Sequence, residues 1–173
     1  MAFFGSGVEY GLHCLLFLVD PSAHPASSRD LADLQGVSPS FLAKIFPKLE
    51  KAGIVDAYEG VHGGYRLARP AAQITVLEVA EAIEGRKRFF DCQEIRGRCA
   101  VFNGRAPSWA TEGVCAIHAL MVRAEKTMRD ELARTTLAEL AGKVGRKAPA
   151  AYRSEIRDWL GARALARGDE RPS

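Results

Sequence analysis

The apolar positions of this chain recur mostly with a helical period. Residues 8–19 are apolar on nearly every side, which is typical of a helix buried all round. Two shorter amphipathic segments follow, residues 28–35 and residues 39–51, and the tight turn between them contains Gly36. Such a pair is typical of a helix-turn-helix. Pro47 lies within the second helix, so we expect a kink there or a break after residue 46.

A strand pattern interrupts the helices between residues 54 and 67. Residues 54–58 and 65–67 are predicted strands, and the glycines between them supply the turn. A hairpin directly after a helix-turn-helix is a wing. Thr75 and Glu78 then have the spacing of a capping box, which predicts a further helix closed by Gly85. The predicted fold is therefore mainly α with a small β-hairpin wing, and the winged helix-turn-helix spans residues 1–85.

A long apolar stripe predicts dimerisation. It recurs at alternating steps of four and three residues, as in a coiled-coil seam, and a short winged helix leaves it little else to cover. We therefore expect a homodimer formed through residues 115–142, which comprise a long helix and a short following one that Thr136 and Glu139 cap. Residues 143–173 form a basic tail with one more predicted helix, to which the sequence assigns no function beyond a covering of the dimer. The stripe consists of Ile117, Met121, Ala124, Met128 and Leu132.

The candidate DNA contacts lie on the second helix and on the wing. In a helix-turn-helix, the start of the second helix enters the major groove, whereas wings and lysine faces contact phosphates. Lys44, Lys48 and Lys51 share one face of that helix. The predicted groove contacts are Ser38, Ser40 and Lys44, and the predicted phosphate contacts are Lys48, His62, Gly63 and Arg66.

Overall charge adds little to this prediction. The chain has 173 residues and a net charge of +3, but residues 1–85 carry −4 and residues 86–173 carry +7. A negative module can still bind DNA when its few cations share a face. The run from Leu15 to Val19 is far too short to span a bilayer, and the N-terminus has no basic signal region. We expect a cytoplasmic protein that does not bind membranes.

Three of the four cysteines, Cys92, Cys99 and Cys115, fall in or directly after a loop at residues 86–114. In a reducing cytoplasm, clustered cysteines bind metal or do redox chemistry more often than they brace a fold. Zinc sites favour gaps of about two to four residues, and the gaps here are six and fifteen residues. Iron–sulfur sites tolerate such variety. Cys14, in the apolar N-terminal helix, is predicted to be a small buried hydrophobe.

Several segments resemble the iron–sulfur regulator family typified by IscR and NsrR. The wing and the helix after it read GVHGGYRLARPAAQITVLEVAEAIEG, and the helix-turn-helix reads VSPSFLAKIFPKLEKAGIV. The N-terminal GVEYGLHCLLFL, CAIHAL at the start of the long helix and TTLAEL after it agree as well. The resemblance covers roughly residues 5–142.

The resemblance implies a homodimeric winged-helix regulator that holds a 2Fe–2S cluster through three cysteines before the dimer helix. Those positions fall on Cys92, Cys99 and Cys115, although familiar members use two short, near-equal gaps. Such a cluster needs a fourth ligand from the protein. His118 is the local candidate, because it follows Cys115 by about one helical turn. We favour Glu9, since in nitric oxide- and redox-sensing members an acid at the matching position reaches the cluster from the other subunit.

We therefore predict a DNA-binding transcription regulator, a repressor, whose affinity for double-stranded operator DNA is controlled by a 2Fe–2S cluster. A cluster-free thiol switch and a zinc-binding regulator of the same fold are alternatives. A cysteine-dependent oxidoreductase is a weaker one, because the chain has no C-x-x-C, phosphate-binding glycine loop or nucleophile elbow.

Overall fold

The computed structural model describes residues 3–169 and is mostly helical, with one two-stranded antiparallel sheet. Two compact units divide the chain: residues up to 85 together with residues from 132 onward form the first, and residues 86–131 form the second. The elements in chain order are α1 (Ser6–Leu16), α2 (Ser28–Gln35), α3 (Pro39–Lys51), β1 (Val55–Tyr58), β2 (Gly64–Leu67), α4 (Val76–Glu84), α5 (Ser108–Thr111), α6 (Ala116–Arg134), α7 (Leu137–Gly145) and α8 (Tyr152–Asp169). The predicted class, mainly helical with a hairpin wing, is confirmed.

The core of the first unit lies between α1, α2, α3 and α4. Its largest fully buried side chain is Phe46, and the side chain of Cys14 is also fully buried, as predicted. One prediction for α1 is wrong, because Glu9 and His13 leave one side of the helix exposed. The other fully buried large side chains are Leu15, Leu31, Leu42, Leu49, Ile54, Ile74, Leu137, Val55 and Val79.

The expected break of the helix after residue 46 is also wrong, whereas the kink at Pro47 stays a prediction. Helix α3 runs from Pro39 to Lys51 with Pro47 inside it. Pro47 itself is exposed, while Phe46 and Leu49 beside it are fully buried. The apolar face of α3 therefore packs into the core on both sides of the proline, and this packing offsets the hydrogen bond that a proline removes.

The wing is the β1–β2 hairpin, extended by a short bridge to the segment before α2. Val55 pairs with Leu67 at one end of the hairpin and Tyr58 with Gly64 at the other. Ala26 and Tyr65 exchange two backbone hydrogen bonds of 2.8 and 3.2 Å. A Cβ atom on Gly64 would lie 2.5 Å from the backbone carbon of Ala26, so only glycine allows the two chains to approach so closely.

Two capping boxes stand side by side at the starts of α4 and α7. Thr75 and Glu78 form the first, and Thr136 and Glu139 form the second; both are confirmed with their reciprocal bonds. Thr75 and Thr136 also form an antiparallel bridge. The backbone groups that helix starts leave unpaired are thereby satisfied for both helices.

Helix α8 packs on the winged helix within the first unit, where Leu160 and Ala164 are buried. The sequence predicted a helix after Pro149 but only a covering role for it. The second unit is built differently. Two 3₁₀ turns (Arg96–Arg98 and Ala100–Phe102) and the short α5 precede α6, and no residue from 86 to 131 is buried. Within residues 3–169, no helix is both long enough and apolar enough to cross a membrane.

Candidate DNA interface and cysteine site

The start of α3 presents the groove-facing residues that the sequence predicted. Ser38, Ser40 and Lys44 are all exposed, because the opposite face of α3 is held in the core. Ser38 is the N-cap residue of α3, but its hydroxyl makes no capping bond and lies 2.9 Å from the Ser40 hydroxyl. Two hydroxyl groups and one ammonium group are thus available together at a helix start, the usual position of base and phosphate contacts.

Lys48 is engaged within the chain. Its ammonium donates a 2.7 Å hydrogen bond to the carbonyl oxygen of Ile83, at the end of α4. This bond ties the second half of α3 to α4. A phosphate contact by Lys48 would require it to give up or share this hydrogen bond, which the exposed Lys44 one turn earlier would not.

The three predicted wing residues are also engaged. His62 Nδ1 lies 2.8 Å from the carbonyl oxygen of Ala164 in α8. The N–H of Gly63 donates to the carbonyl oxygen of Gly60 at 2.9 Å, which closes the turn. Arg66 donates to the carbonyl oxygen of Ala23 at 2.6 Å, and its guanidinium stacks 5.7 Å above the ring of Tyr58.

The sequence reasoning missed the residues that hold the wing tip. Arg163 and Arg167 of α8 both pair with Asp30 of α2, and Arg167 also donates to the carbonyl oxygen of Gly63. Asp30 is the only buried polar or charged side chain among residues 3–168. One sequence signal was available, since arginines four residues apart share a helix face.

The four cysteines occupy three kinds of environment. Cys92 and Cys115 are half-buried, Cys99 is exposed, and Cys14 is fully buried in the first unit. The Cys14 thiol points at the carbonyl oxygen of Leu31, 3.8 Å away, and burial raises the pKa of this thiol to about 12. Cys14 therefore stays protonated and is unsuited to binding metal, whereas the other three sulfurs are accessible.

Arg96 connects the cysteine segment to the start of α6. Its guanidinium donates to both carboxylate oxygens of Glu94, at 2.6 and 3.0 Å, and to the carbonyl oxygens of Glu112 and Gly113. The pKa of Arg96 is raised, first by the Glu94 hydrogen bond and also by the nearby Cys115 and Cys92. The positive charge of Arg96 thus interacts electrostatically with both half-buried thiols.

His118 lies in the first turn of α6, three residues after Cys115. Its Nδ1 atom is buried and has no hydrogen-bond partner, and its ring centroid lies 6.3 Å from that of Phe90. Two half-buried thiols and an unsatisfied imidazole nitrogen are donors that suit zinc or an iron–sulfur cluster. Among residues 3–169, however, no three His, Cys, Asp or Glu side chains converge on a possible metal position. The described part of one chain therefore lacks a complete ligand set.

Glu9, the other predicted ligand, lies on the exposed side of α1 in the first unit. It borders an apolar groove of about 710 Å³. The groove is lined by residues of α1, α4 and α7 and by Leu132, with Lys143 as a second charged residue at its edge. A carboxylate at the border of an apolar surface is placed to reach a group that covers the groove.

Three comparisons with known proteins agree on the class. A profile of the Rrf2 family, described as an iron-dependent transcriptional regulator, matches residues 4–143. Protein rrf2 of Nitratidesulfovibrio vulgaris is 35% identical over 133 residues, which cover 76% of this chain and 82% of that protein. The HTH-type transcriptional regulator IscR of Cereibacter sphaeroides is 40% identical over 80 residues, covering 43% of this chain and 52% of the relative.

A solved structure is similar in fold. CymR of B. subtilis, described as the global cysteine regulator of that organism, superposes with a TM-score of 0.65 and 23% identity. The similarity covers 83% of this chain and 98% of that one. At this level of identity the comparison shows the shared winged-helix fold.

Proposed function

The chain belongs to the Rrf2 family of transcriptional regulators, which are not enzymes, and from this premise we propose that it is a DNA-binding repressor controlled by a 2Fe–2S cluster. The observations that carry the proposal are two half-buried thiols, Cys92 and Cys115, which both interact electrostatically with Arg96, and the unpartnered buried nitrogen of His118, three residues after Cys115. The family description as iron-dependent also supports it. We propose that the protein acts in the cytoplasm.

The ligands in this proposal are Cys92, Cys99 and Cys115 with one further group. Because no complete ligand set lies within the described part of one chain, we propose that Glu9 of a second copy supplies the fourth, with His118 as the local alternative. When bound, the cluster would supply a centre that redox change, nitric oxide or iron–sulfur supply can alter. An oxygen ligand on a soft iron–sulfide core would be the labile one.

The chain's own residues would convert that change into altered DNA binding. Arg96 links residues 92–98 to the backbone just before α6, through the carbonyl groups of Glu112 and Gly113. A rearrangement at the cysteines would therefore move the start of α6. We propose that α6 is the dimer seam, since none of its residues is buried in the single chain, and the seam sets the spacing of the two winged helices on DNA.

In the proposed complex, Ser38, Ser40 and Lys44 face the major groove. Removing one phosphate contact should reduce the slope of log affinity against log salt by about 0.9. Lys44→Ala is expected to show this change. Lys48→Ala should also reduce the slope, but only if its ammonium gives up or shares its hydrogen bond to the Ile83 carbonyl in the complex. Unchanged slopes for both variants would show that this face does not contact phosphates.

Purification without oxygen tests the cluster. We expect a coloured protein with iron and sulfide in equal amounts, and loss of the colour in Cys92→Ser and Cys115→Ser. Cys14→Ala is the matched control, because that thiol is buried away from the site, and it should keep the colour. Glu9→Ala and His118→Ala, compared by visible spectrum and by cluster lifetime in air, decide the fourth ligand. Colourless parent protein without iron would refute the cluster.

A thiol switch is the second candidate, and a specific observation favours it. The positive charge of Arg96 interacts with both Cys92 and Cys115, and a cation in the surroundings of a partly exposed sulfur is a feature that redox-active cysteines share. In that case, metal-free protein should lose DNA affinity on treatment with peroxide and regain it with dithiothreitol. Protein that carries zinc after the same purification would instead indicate the zinc-binding alternative.

A further inference from the structure

Helix α8 ties the wing tip to the start of α2, and it lies outside residues 4–143, which the family profile matches. We propose that Arg163 and Arg167 of α8 are positioning residues for DNA binding: they hold the wing tip, His62 and Gly63, against α2 and neutralise the carboxylates there. The inference rests on the proposed DNA binding. According to this inference, α8 contributes part of the affinity for DNA, and the winged helix without α8 would bind DNA more weakly.

The first part of the connection is a buried carboxylate that α8 satisfies. Asp30 is only 3% exposed, and its carboxylate accepts a 2.7 Å hydrogen bond from the Ser27 hydroxyl. Nε of Arg163 donates to it at 3.0 Å, and Arg167 forms a second ion pair with it. A buried carboxylate without cations is costly. The position of α8 is therefore coupled to the first turn of α2.

The second part is a set of contacts with the wing tip. Nη2 of Arg167 donates to the carbonyl oxygen of Gly63 at 3.3 Å, and His62 Nδ1 lies 2.8 Å from the carbonyl oxygen of Ala164. A Cβ atom on Gly168 would come within 2.5 Å of the His62 ring, so the helix backbone passes directly against the imidazole. Arg167 thus contacts α2 and the wing with one guanidinium, and the buried Leu160 and Ala164 fix the helix beneath it.

Charge gives the connection a second consequence. Residues 1–85 carry a net charge of −4, and a carboxylate near the DNA-facing side repels phosphates. Asp30 and Asp33 both lie on α2, and Arg163 pairs with both of them. Residues 159–168 of α8 contain these two arginines and no acid. The helix therefore offsets acidic charge at the place where the wing meets the helix-turn-helix.

The guanidinium contacts distinguish positioning from direct DNA contact. Arg167 is already bonded to Asp30, Ser27 and Gly63, and burial lowers its pKa. Because its guanidinium is occupied by these contacts, Arg167 would affect DNA binding by holding α2 and the wing in place. Removing it should lower DNA affinity and leave the salt dependence unchanged, because the number of phosphates that the protein neutralises stays the same.

The test measures binding of the full-length chain to a labelled DNA duplex selected from a random-sequence pool by the parent protein, at several salt concentrations. Arg167→Ala should raise Kd about tenfold and Arg163→Ala about threefold, as expected for the removal of hydrogen bonds between charged groups. Arg167→Lys should restore most of the affinity. Arg157→Ala, which removes the same charge from an exposed position on the same helix, should bind like the parent.

A second readout is amide hydrogen exchange, which a general loss of stability would change throughout the unit. In Arg167→Ala we expect faster exchange in the β1–β2 hairpin and unchanged exchange in α3. If Arg167→Ala fails to fold, Arg163→Ala provides the same comparison, because Arg163 also pairs with Asp30.

Three outcomes would overturn the inference. If Arg167→Ala and Arg163→Ala bind DNA as tightly as the parent and Arg157→Ala do, α8 has no part in binding. Tighter binding by Arg167→Ala than by the parent would show that α8 inhibits binding. A salt slope reduced by about one unit in Arg167→Ala, with hydrogen exchange in the hairpin unchanged, would make Arg167 a direct phosphate contact. If the parent selects no duplex from the pool, the proposed function fails together with the inference.

Discussion

The two units of this molecule obtain their structure in different ways. The first, residues 3–85 with 132–169, contains every buried side chain that the structure describes. The second, residues 86–131, contains none. Polar hydrogen bonds hold its segments together: Arg96 donates to Glu94, and Arg129 donates to Glu125 at 2.9 Å and to the carbonyl oxygen of Lys87 at 2.8 Å. The winged helix therefore has its own core, whereas the cysteine segment leaves its apolar groups available to a further component.

The second unit carries enough apolar surface for such a component. Scattered apolar side chains on a surface are ordinary, but a concentration of large ones in one short segment marks an interaction site. We expect the proposed second copy and the proposed cofactor to cover them. Those exposed by half or more are Ile95, Val101, Trp109, Val114, Ile117, Leu120 and Val122.

Removing a large apolar side chain from each unit should give the largest difference. Phe46→Ala deletes the largest fully buried side chain of the first unit and should lower the free energy of unfolding by about 3–5 kcal/mol. Trp109 is 72% exposed and only meets the ring of Phe102 edge-on, so Trp109→Ala should cost less than about 1 kcal/mol. Urea unfolding of both variants measures this, and equal losses would show that residues 86–131 share the core.

A charge in the proposed seam tests whether the second copy completes the second unit. Met121→Asp places a carboxylate on the apolar stripe of α6, where burial without a partner is costly. We expect the dimer to weaken about 10- to 100-fold in sedimentation. Arg123→Asp, on the opposite face of the same helix, is the control and should leave the dimer intact. Unchanged dimerisation of Met121→Asp would place the seam elsewhere.

The same contrast explains what the sequence could predict. Capping boxes, the wing and the apolar faces are local patterns, so Thr75, Thr136 and the hairpin were predicted correctly. Pro47 misled because the penalty for a proline is local, whereas the packing of Phe46 and Leu49 that outweighs it is tertiary. The polarity of one side of α1 was visible in Glu9 and His13, but the high apolar content of that helix concealed it.

The candidate sites were predicted to different depths. Exposure of Ser38, Ser40 and Lys44 follows from the helical period. The bond from Lys48 to Ile83 and the position of α8 over the wing join residues far apart in sequence, which no local pattern reports. For the cysteines, the sequence indicated three candidate ligands but not the interaction of Arg96 with Cys92 and Cys115, because a lone arginine in a loop has no signature.

The capping boxes should contribute a smaller, purely local amount to the first unit. Thr75→Ala and Thr136→Ala each remove a hydroxyl that accepts a backbone N–H and should each cost about 1 kcal/mol in urea unfolding. Ser38→Ala is the matched control, since Ser38 occupies an N-cap position without making a capping bond. A loss at Ser38 equal to that at Thr75 would show that the side-chain bond is not what stabilises these helix starts.

The smallest predicted effect is on the pH dependence of the free energy of unfolding, which should differ between the two units. Burial by itself would raise the pKa of Glu78, but hydrogen bonds from Thr75 and Arg69 outweigh it and lower the pKa below its usual value. A lowered pKa in the folded state stabilises the protein at pH values above the unfolded pKa, about 4.3, and this contribution disappears as the pH falls through the folded value. Because the Glu78 side chain is 43% exposed, screening reduces the contribution to about 0.5 kcal/mol.

Glu78→Gln should therefore be slightly less stable than the parent at pH 7, and the two curves should converge as the pH falls through the lowered pKa of Glu78. In the second unit, the pKa of Glu125 is also lowered, first by Arg129 and then by the backbone N–H of Phe89. Because residues 86–131 contribute no buried side chain, Glu125→Gln should leave the unfolding of the first unit unchanged at every pH. The free energy of urea unfolding from pH 3 to 7 checks both, with Glu155→Gln as a control for loss of an exposed carboxylate on α8. An equal pH-dependent loss in Glu125→Gln would mean that the two units unfold as one.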